Sequence, residues 1–249
     1  MITETILGLR FFNGDVDEVI DLISGKGGFL VAPSGACFAR LTRDKAYREA
    51  MINADLAIPD SGAMVLLWKV FRGRTVKRIS GWKYLRSLSS KFFAEKNAAV
   101  CWVVPNENAR AKAAAWLNEN NFAFSDTDFY VAPFYGALVE DADLVAKLNN
   151  RRPRHVVIGI GSGPQEKLGY YLREHLHYRP AIHCIGAALG FLTGDQVKIP
   201  AWADRSYLGW LVRLLCQPRI FAPRYLHAFR LPRLLLHYGE KLPPLRSRN

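Results

Sequence analysis

The sequence lacks the cysteine and histidine arrangements that mark disulfide-stapled domains or zinc sites. Its four cysteines, Cys37, Cys101, Cys184 and Cys216, lie far apart and form no CxxC pair, and its six histidines form no HExxH motif. Isolated cysteines favour free thiols in a reducing compartment over a disulfide framework. We therefore expect reduced core thiols, no metal site and no cofactor.

Long hydrophobic runs are missing as well. No apolar stretch approaches the ~18 residues that a membrane-spanning helix requires, and the first residues show no charged-then-apolar signal peptide. We expect a soluble or peripheral protein. Half of the 249 residues are hydrophobic and 22% are charged, a composition that predicts a packed core and disfavours disorder.

Positive charge is abundant and unevenly distributed. The net charge is +12, and the segment from Lys198 to the end holds ten Lys/Arg against two acids, Asp204 and Glu240, for a net +8. Such a segment can serve nucleic acid, anionic lipid or a phosphorylated substrate. Its many leucines favour a basic amphipathic segment on anionic lipid over a nucleic-acid surface. A C-terminal helix packed on the body, and a non-catalytic nucleic-acid- or membrane-binding module, stay open as alternatives.

Strand and helix patterns alternate along the first four-fifths of the chain. Short apolar runs at 29–33, 55–59, 98–105 and 154–161 predict strands, and helical patterns follow each, including one over 36–54. This alternation predicts an α/β fold with a Rossmann-like, mainly parallel sheet and flanking helices. We place the α/β domain at residues 1–195 and a basic helical appendage at 196–249.

Ligands of such sheets bind beyond the carboxyl ends of the strands, where this chain has Asp60. The residue stands in "ADLAIPDSGAMVLLWK", between a predicted strand and a predicted helix. An aspartate there is suited to cap the helix that follows, a contribution of ~1 kcal/mol. A carboxylate at a strand end is also where a general base would stand, but the local pattern alone favours the cap.

Two further strand ends attract attention. In "VVIGIGSGPQEKLGYYL", glycines precede a helix that begins at Pro164 and includes Gln165 and Glu166; a tight turn and a phosphate-binding loop fit this pattern equally well. In "VKRISGWKYL", Lys77 and Arg78 precede a serine-glycine turn and a helix, where a cation can hold a diphosphate.

Taken in order, four stretches of this sequence resemble the WecG/TagA/CpsF glycosyltransferases (glycosyltransferase family 26). They are "NADLAIPDSGAMVLLWK", "KRISGWKYL", "IGIGSGPQEKL" and "GFLTGDQVKIPAWADRSYLGWLVRLLCQPRIFAPRY", and the resemblance extends from about residue 30 to about residue 226. The chain departs from the family pattern at Ala32-Pro33-Ser34, where Thr-x-Asn is common, and at Gly209 and Gln217, which replace two glutamates.

The resemblance implies an inverting enzyme at the cytoplasmic face of the bacterial inner membrane. It implies transfer of a hexose or N-acetylhexosamine from a UDP-sugar onto a polyprenyl-diphosphate-linked saccharide, for cell-surface or exopolysaccharide synthesis. We lean slightly to a hexose because of the Ala32-Pro33-Ser34 departure. Nucleic acid is not an expected partner, an anionic membrane surface is, and a homo-oligomer stays open.

The same resemblance assigns the candidate site residues. Asp60 stands at the position of the family's base, and Arg78 is expected to stabilise the departing diphosphate. The substrate-binding candidates are Ser34, Gly161, Gln165, Glu166, Arg213, Arg219 and Arg224. Arginines in place of a divalent ion would account for the lack of a convincing DxD motif, since "DTD" at 126–128 has an uncertain context.

Overall fold

The computed structural model describes residues 2–95, 98–186, 188–192, 209–216, 218–219 and 228–246. The strands are β1 (Thr3–Ile6), β2 (Leu9–Phe12), β3 (Gly28–Val31), β4 (Leu56–Ala57), β5 (Val100–Val104), β6 (Phe129–Val131), β7 (His155–Ile158) and β8 (Ala181–Cys184). The helices are α1 (Val16–Lys26), α2 (Lys45–Ile52), α3 (Gly62–Arg72), α4 (Gly81–Glu95), α5 (Glu107–Glu119), α6 (Ala142–Arg151), α7 (Pro164–His175), α8 (Ala188–Leu192), α9 (Gly209–Cys216) and α10 (Arg230–Tyr238). Two 3-10 helices cover Gly35–Thr42 and Asp126–Asp128.

The eight strands found in the described residues form one sheet in the order β1-β2-β4-β3-β8-β7-β5-β6. Only the β1–β2 pairing is antiparallel, and every other neighbouring pair is parallel. The carboxyl ends of β3, β4, β7 and β8 therefore lie side by side at one edge of the sheet. This edge is where ligands of open α/β sheets bind.

Hydrophobic layers cover both faces of the sheet. Successive residues of β3 alternate between the two cores, with Phe29 and Val31 in one and Leu30 in the other, as the two-residue period of a strand requires. The first core receives residues of α2, α3, α6, α7 and α10, and the second receives residues of α1, α4, α5 and α8. The predicted α/β fold with a mainly parallel, helix-flanked sheet is confirmed.

The elements differ from the sequence prediction at several points. The helix predicted over 36–54 is a 3-10 helix followed by α2, broken at Asp44, which caps α2 by accepting from the Tyr47 N–H. Of the four cysteines, three are buried as predicted, but Cys216 is exposed, so its assignment as a core thiol is wrong.

The C-terminal helix α10 packs on the body of the protein. It contacts α3 and the 3-10 helix 35–42, and it buries Leu231, Leu234 and Leu235 in the first core. The chain beyond it binds the β1–β2 turn through backbone hydrogen bonds from Leu7 to Gly239 and from Gly8 to Glu240, both 2.8 Å. Residues 230–242 are therefore attached to the α/β body, while the predicted boundary at 195/196 lies outside the described residues.

None of the described helices has the length and apolar character needed to cross a bilayer.

Candidate active site

Asp60 lies at the carboxyl end of β4 and is held from two sides by the segment that leads into α4. Its Oδ1 accepts a hydrogen bond of 2.9 Å from the Gly81 N–H, the first residue of α4. Its backbone carbonyl accepts a 3.0 Å bond from Nε of Arg78, and the Ile79 N–H donates to the Pro59 carbonyl at 3.3 Å. The Asp60 carboxyl group therefore lies at the N-terminus of α4, where the first N–H groups of a helix have no partner within the helix.

The helix that directly follows Asp60 is capped by another residue. Ser61 is the N-cap of α3, and its Oγ accepts from the Met64 N–H at 3.2 Å. The interpretation of Asp60 as the cap of this helix is therefore wrong, because a cap needs its side chain directed to the third helical residue and Ser61 takes that place. The carboxylate turns instead toward α4.

Gly81 is required by the close approach of three elements. A Cβ at this position would lie 3.3 Å from the Ile185 carbonyl oxygen, 3.8 Å from Cβ of Ala188 and 3.9 Å from Oδ1 of Asp60. The N-terminus of α4 is thus enclosed between the loops that follow β4 and β8. A side chain here would require α4 or the loop after β8 to shift by a few tenths of an ångström.

A series of buried hydrogen bonds connects α4 to strands β8 and β7 of the sheet. The Tyr84 hydroxyl and Nδ1 of His183 are 2.8 Å apart, and Nε2 of His183 lies 3.1 Å from Nδ1 of His155. Burial lowers the pKa of His155 to about 4, with a smaller effect of Arg154 in the same direction. Burial, and then His155, hold the pKa of His183 well below its usual range. Both rings are therefore neutral near pH 7 and serve as hydrogen-bonding groups.

Gln165 and Glu166 are fully buried at the start of α7, where they join two of the strand-end loops. Oε2 of Glu166 accepts from the Gly163 N–H at 2.5 Å, and its Oε1 accepts from Nε2 of Gln165 at 2.9 Å. The Gly186 N–H, after β8, donates to Oε1 of Gln165 at 2.9 Å. Burial raises the pKa of Glu166, and the bonds from Gln165 and Gly163 oppose that rise.

Gly161, in the same loop, has a left-handed backbone with φ +94°, and among the described residues, its two chain neighbours aside, no atom lies within 4 Å of the position where its Cβ would be. The backbone here is open on the side that a side chain would occupy. A ligand is able to approach it closely, as in glycine-rich phosphate loops.

Ser34 lies in the loop after β3 and is linked to the β7 loop through Cys37. The Ser34 Oγ and Cys37 Sγ atoms are 3.1 Å apart, and the same sulfur lies 2.9 Å from Oγ of Ser162. A Cβ on Gly35 would come 3.0 Å from Oγ of Ser61. The loops after β3, β4 and β7 therefore meet, and they bring Ser34 and Gly161 to the same edge of the sheet as Asp60.

The three remaining candidates are arginines of the C-terminal part of the chain, and the structure describes them only in part. Arg213 belongs to α9, but its side chain is outside the described residues, as is the whole of Arg224. Arg219 is described and exposed. The proximity of these three arginines to Asp60 stays a prediction.

Two other sequence candidates have structural partners elsewhere. Lys77 forms an exposed ion pair with Asp15. The "DTD" residues form the 3-10 helix before β6, where Asp126 pairs with Arg110 at 2.9 Å and Asp128 with Arg151 at 2.5 Å. They precede β6 and so lie at the edge of the sheet opposite to Asp60. Within the described part of the chain, no three His, Cys, Asp or Glu residues are grouped as metal ligands would be.

Sequence reasoning missed several contributors to this edge. Gly186 escaped notice because β8 contains the polar His183 and was not predicted as a strand. Cys37 and Ser162 were not singled out, although each lies within three residues of a predicted candidate. The serine-glycine pair at 162–163 was the available signal.

Comparison with known proteins is consistent with this arrangement. The family model "Glycosyl transferase WecG/TagA/CpsF family" matches residues 4–246. An N-acetylglucosaminyldiphosphoundecaprenol N-acetyl-beta-D-mannosaminyltransferase of Bacillus subtilis (strain 168) is 23% identical over 226 residues, 88% of this chain and 85% of the relative. The protein with the same name from Bacillus spizizenii (strain ATCC 23059 / NRRL B-14472 / W23) is 22% identical over 227 residues, with the same shares covered. Because the family model spans nearly the whole chain, Asp60 and the loops around it included, this protein belongs to the WecG/TagA/CpsF family of glycosyltransferases.

Proposed function

We propose that this glycosyltransferase moves a hexose or N-acetylhexosamine, with inversion, from a UDP-sugar onto a polyprenyl-diphosphate-linked saccharide. The family membership supports sugar transfer. The names of the two Bacillus relatives describe transfer of N-acetylmannosamine to a lipid-diphosphate-linked N-acetylglucosamine, which favours an N-acetylhexosamine over the hexose suggested by the Ala32-Pro33-Ser34 departure. The observation that carries the proposal is the Asp60 carboxylate held at the N-terminus of α4.

Asp60 is the proposed general base. The acceptor hydroxyl gives its proton to the carboxylate while its oxygen bonds to the anomeric carbon. The bond from that carbon to the UDP oxygen breaks on the opposite face, and its electron pair leaves with UDP. Proton transfer of this kind contributes ~10²–10⁴-fold to the rate. The Gly81 N–H holds one carboxylate oxygen and so orients the other.

Arginines are the proposed partners of the departing diphosphate. Arg78 is half-buried and bonded to the Asp60 backbone, so its charge is anchored beside the base. Arg213, Arg219 and Arg224 are proposed to complete this positive field from the C-terminal part of the chain. Positioned cations stabilise the charge that develops on a leaving diphosphate.

The loops after β3 and β7 are proposed to hold the nucleotide. Ser34 and the open backbone at Gly161 are suited to direct contact with substrate. We propose that Gln165 and Glu166 act as positioning residues, because both side chains are fully buried and bond to each other and to the loops.

The acceptor places the reaction at a membrane. We propose a peripheral protein at the cytoplasmic face of the inner membrane that works in cell-surface or exopolysaccharide synthesis. Its basic C-terminal segment, net +8 from Lys198 onward, would face anionic lipid. Electrostatic attraction to such a surface is worth roughly 1 kcal/mol for each nearby Lys or Arg.

Two measurements test the proposed function. Calorimetry with UDP should show binding to the purified full-length protein. Incubation with a lipid-diphosphate-linked N-acetylglucosamine acceptor and UDP-N-acetylmannosamine, UDP-N-acetylglucosamine or UDP-glucose should then yield an extended acceptor with at least one donor. Absence of UDP binding together with absence of transfer from all three donors would reject the proposal.

A further inference from the structure

Three arginines from separate parts of the chain meet where α10 begins. Arg230 is the first residue of α10, which packs against the 3-10 helix 35–42. Arg43 directly follows that 3-10 helix. Arg246 lies beside it, because its backbone N–H donates to the Thr42 carbonyl at 2.9 Å. We call these three residues the arginine cluster.

The cluster has no counter-charge in the described part of the chain. None of the three guanidinium groups forms an ion pair or a side-chain hydrogen bond with a described residue, and Nη1 of Arg230 is buried without a partner. The neighbouring acid, Asp44, is occupied by Lys167 at 2.7 Å and by the Tyr47 N–H at 3.0 Å. A buried guanidinium nitrogen without a hydrogen-bond partner is costly, and a bound anion would supply that partner.

The pKa of Arg230 is consistent with the close grouping of the three arginines. Burial, Arg43 and Arg246 together lower the pKa of Arg230. Like-charged guanidinium groups repel one another, and an anion such as phosphate, whose oxygens match their fork of N–H donors, would offset that repulsion.

Exposed apolar side chains adjoin two of the three arginines. Phe229, before Arg230, is 78% exposed, and Leu245, before Arg246, is 40% exposed. Farther along α10, Leu236 is also exposed. Apolar side chains beside cations are typical of a surface that takes phosphate and hydrocarbon together, and this favours a phosphate carried by a lipid over a free nucleotide.

The position of the cluster relates it to the candidate active site. Leu231, next to Arg230, lies 3.7 Å from where a Cβ on Gly35 would be, and the same Cβ would lie 3.0 Å from Oγ of Ser61. Ser61 follows Asp60. The cluster therefore borders the same edge of the sheet as the proposed base, on the side of α3 and α10.

From these contacts we propose that Arg43, Arg230 and Arg246 form a binding site for the phosphate groups of a lipid. The two sources with this chemistry are the diphosphate of the acceptor and the headgroup of an anionic phospholipid. The inference rests on the proposed lipid-linked acceptor, and it adds a site made of residues outside the four family stretches.

The test uses full-length wild-type protein and two variants. Arg43→Gln/Arg246→Gln changes exposed side chains only, so it is expected to fold normally. Arg230→Gln removes the buried nitrogen. Arg154→Gln is the matched control, because Arg154 is exposed and precedes β7 at the opposite edge of the sheet.

Two probes distinguish the sources. Farnesyl diphosphate in detergent, titrated by calorimetry, represents the acceptor diphosphate. Flotation with phosphatidylcholine vesicles, with and without phosphatidylglycerol, represents the phospholipid surface. We expect the double variant and Arg230→Gln to lose about tenfold in affinity for one of these probes, as removal of charge-assisted hydrogen bonds implies, while Arg154→Gln and the affinity for UDP stay unchanged.

Selective loss of farnesyl diphosphate binding would assign the site to the acceptor, and selective loss of phosphatidylglycerol-dependent flotation would assign it to the membrane. Unchanged binding of both probes in both variants would overturn the inference, as would a loss confined to UDP. If wild-type protein binds neither UDP nor any donor sugar, the proposed function fails, but the two lipid probes still report on the cluster.

Discussion

Oδ1 of Asp60 lies 2.9 Å from the backbone nitrogen of Gly81, which begins a helix 21 residues farther along the chain. This bond joins the carboxyl end of β4 to the N-terminus of α4. The first N–H groups of a helix have no partner within the helix, and Asp60 accepts a hydrogen bond from one of them here.

Replacement of Gly81 by alanine should impair catalysis more than stability. The new Cβ would lie 3.3 Å from the Ile185 carbonyl, so α4 must shift by a few tenths of an ångström and move its N–H group away from Asp60. A displacement near a reacting group can cost up to ~10²-fold in rate, and we expect a fall in turnover of at least tenfold. Turnover and urea unfolding measure the two effects.

The matched control for this change is Gly25→Ala in α1. In the part of the chain that the structure describes, no atom beyond the local backbone of α1 lies within 4 Å of a Cβ at Gly25, so activity should be unchanged. The higher helix propensity of alanine should add several tenths of a kcal/mol to the free energy of unfolding. Equal turnover of Gly81→Ala and wild type would show that the close approach of α4 is not needed for catalysis.

Ser61→Ala separates capping from catalysis. Ser61, not Asp60, caps α3, so its loss should lower the free energy of unfolding by ~1 kcal/mol while most of the transfer activity remains. Urea denaturation together with a transfer assay provides the comparison. Full stability in Ser61→Ala would contradict the capping assignment.

Substitutions of the neighbouring residues Arg78 and Lys77 test whether the positive charge beside Asp60 contributes to turnover. Arg78 is bonded to the Asp60 backbone, whereas Lys77 is exposed and paired with Asp15. We expect Arg78→Gln to reduce turnover by about 10²-fold, within the range seen when one stabilising donor is removed, and Lys77→Gln to leave it unchanged. Turnover and KM for the donor should be measured for both; equal effects of the two changes would exclude a specific role for Arg78.

The buried histidines predict a loss of stability in acid. The pKa of His155 is about 4 in the folded protein against an ordinary value of 6.5, so between these values the unfolded chain binds more protons than the native state. The free energy of unfolding therefore has its full value above pH 6.5 and decreases as the pH falls toward 4. His155 accounts for roughly 3 kcal/mol of this decrease. Urea unfolding at several pH values should show the decline.

His155→Gln isolates this contribution. Carboxylates also titrate in this range, so the informative quantity is the difference between wild type and variant, which should shrink as the pH falls from 6.5 toward 4. A difference that does not vary with pH would show that His155 titrates normally in the folded protein.

General rules predicted the position of Asp60 in the fold, and the family resemblance then selected it as the candidate base. Alternation of apolar strands and helices places Asp60 at a strand end, and strand ends of parallel sheets share one edge. Asp60 and Ser61 are adjacent in the sequence, and the direction of their side chains decides which of the two caps α3. The partner that Asp60 meets instead, Gly81, is brought near by tertiary packing and leaves no local pattern.

Other features were missed for definable reasons. The β1–β2 hairpin turns at Leu7 and Gly8, both with positive φ, and leucine is an unusual residue for a turn of this kind, in which Asn-Gly is typical. For Gln165 and Glu166, their order in the chain revealed a helix start, but the bond that Gln165 accepts from the Gly186 N–H joins residues 21 positions apart and leaves no local pattern.

The most direct test of the account is turnover of Asp60→Asn, measured beside UDP affinity and melting temperature. The asparagine Oδ1 can still accept the Gly81 N–H but cannot remove a proton. Asp143→Asn, an exposed acid in the first turn of α6, controls for loss of charge near a helix N-terminus. We predict unchanged UDP binding and melting temperature with turnover reduced by at least ~10²-fold; turnover at the level of wild type and of Asp143→Asn would show that Asp60 is not the base.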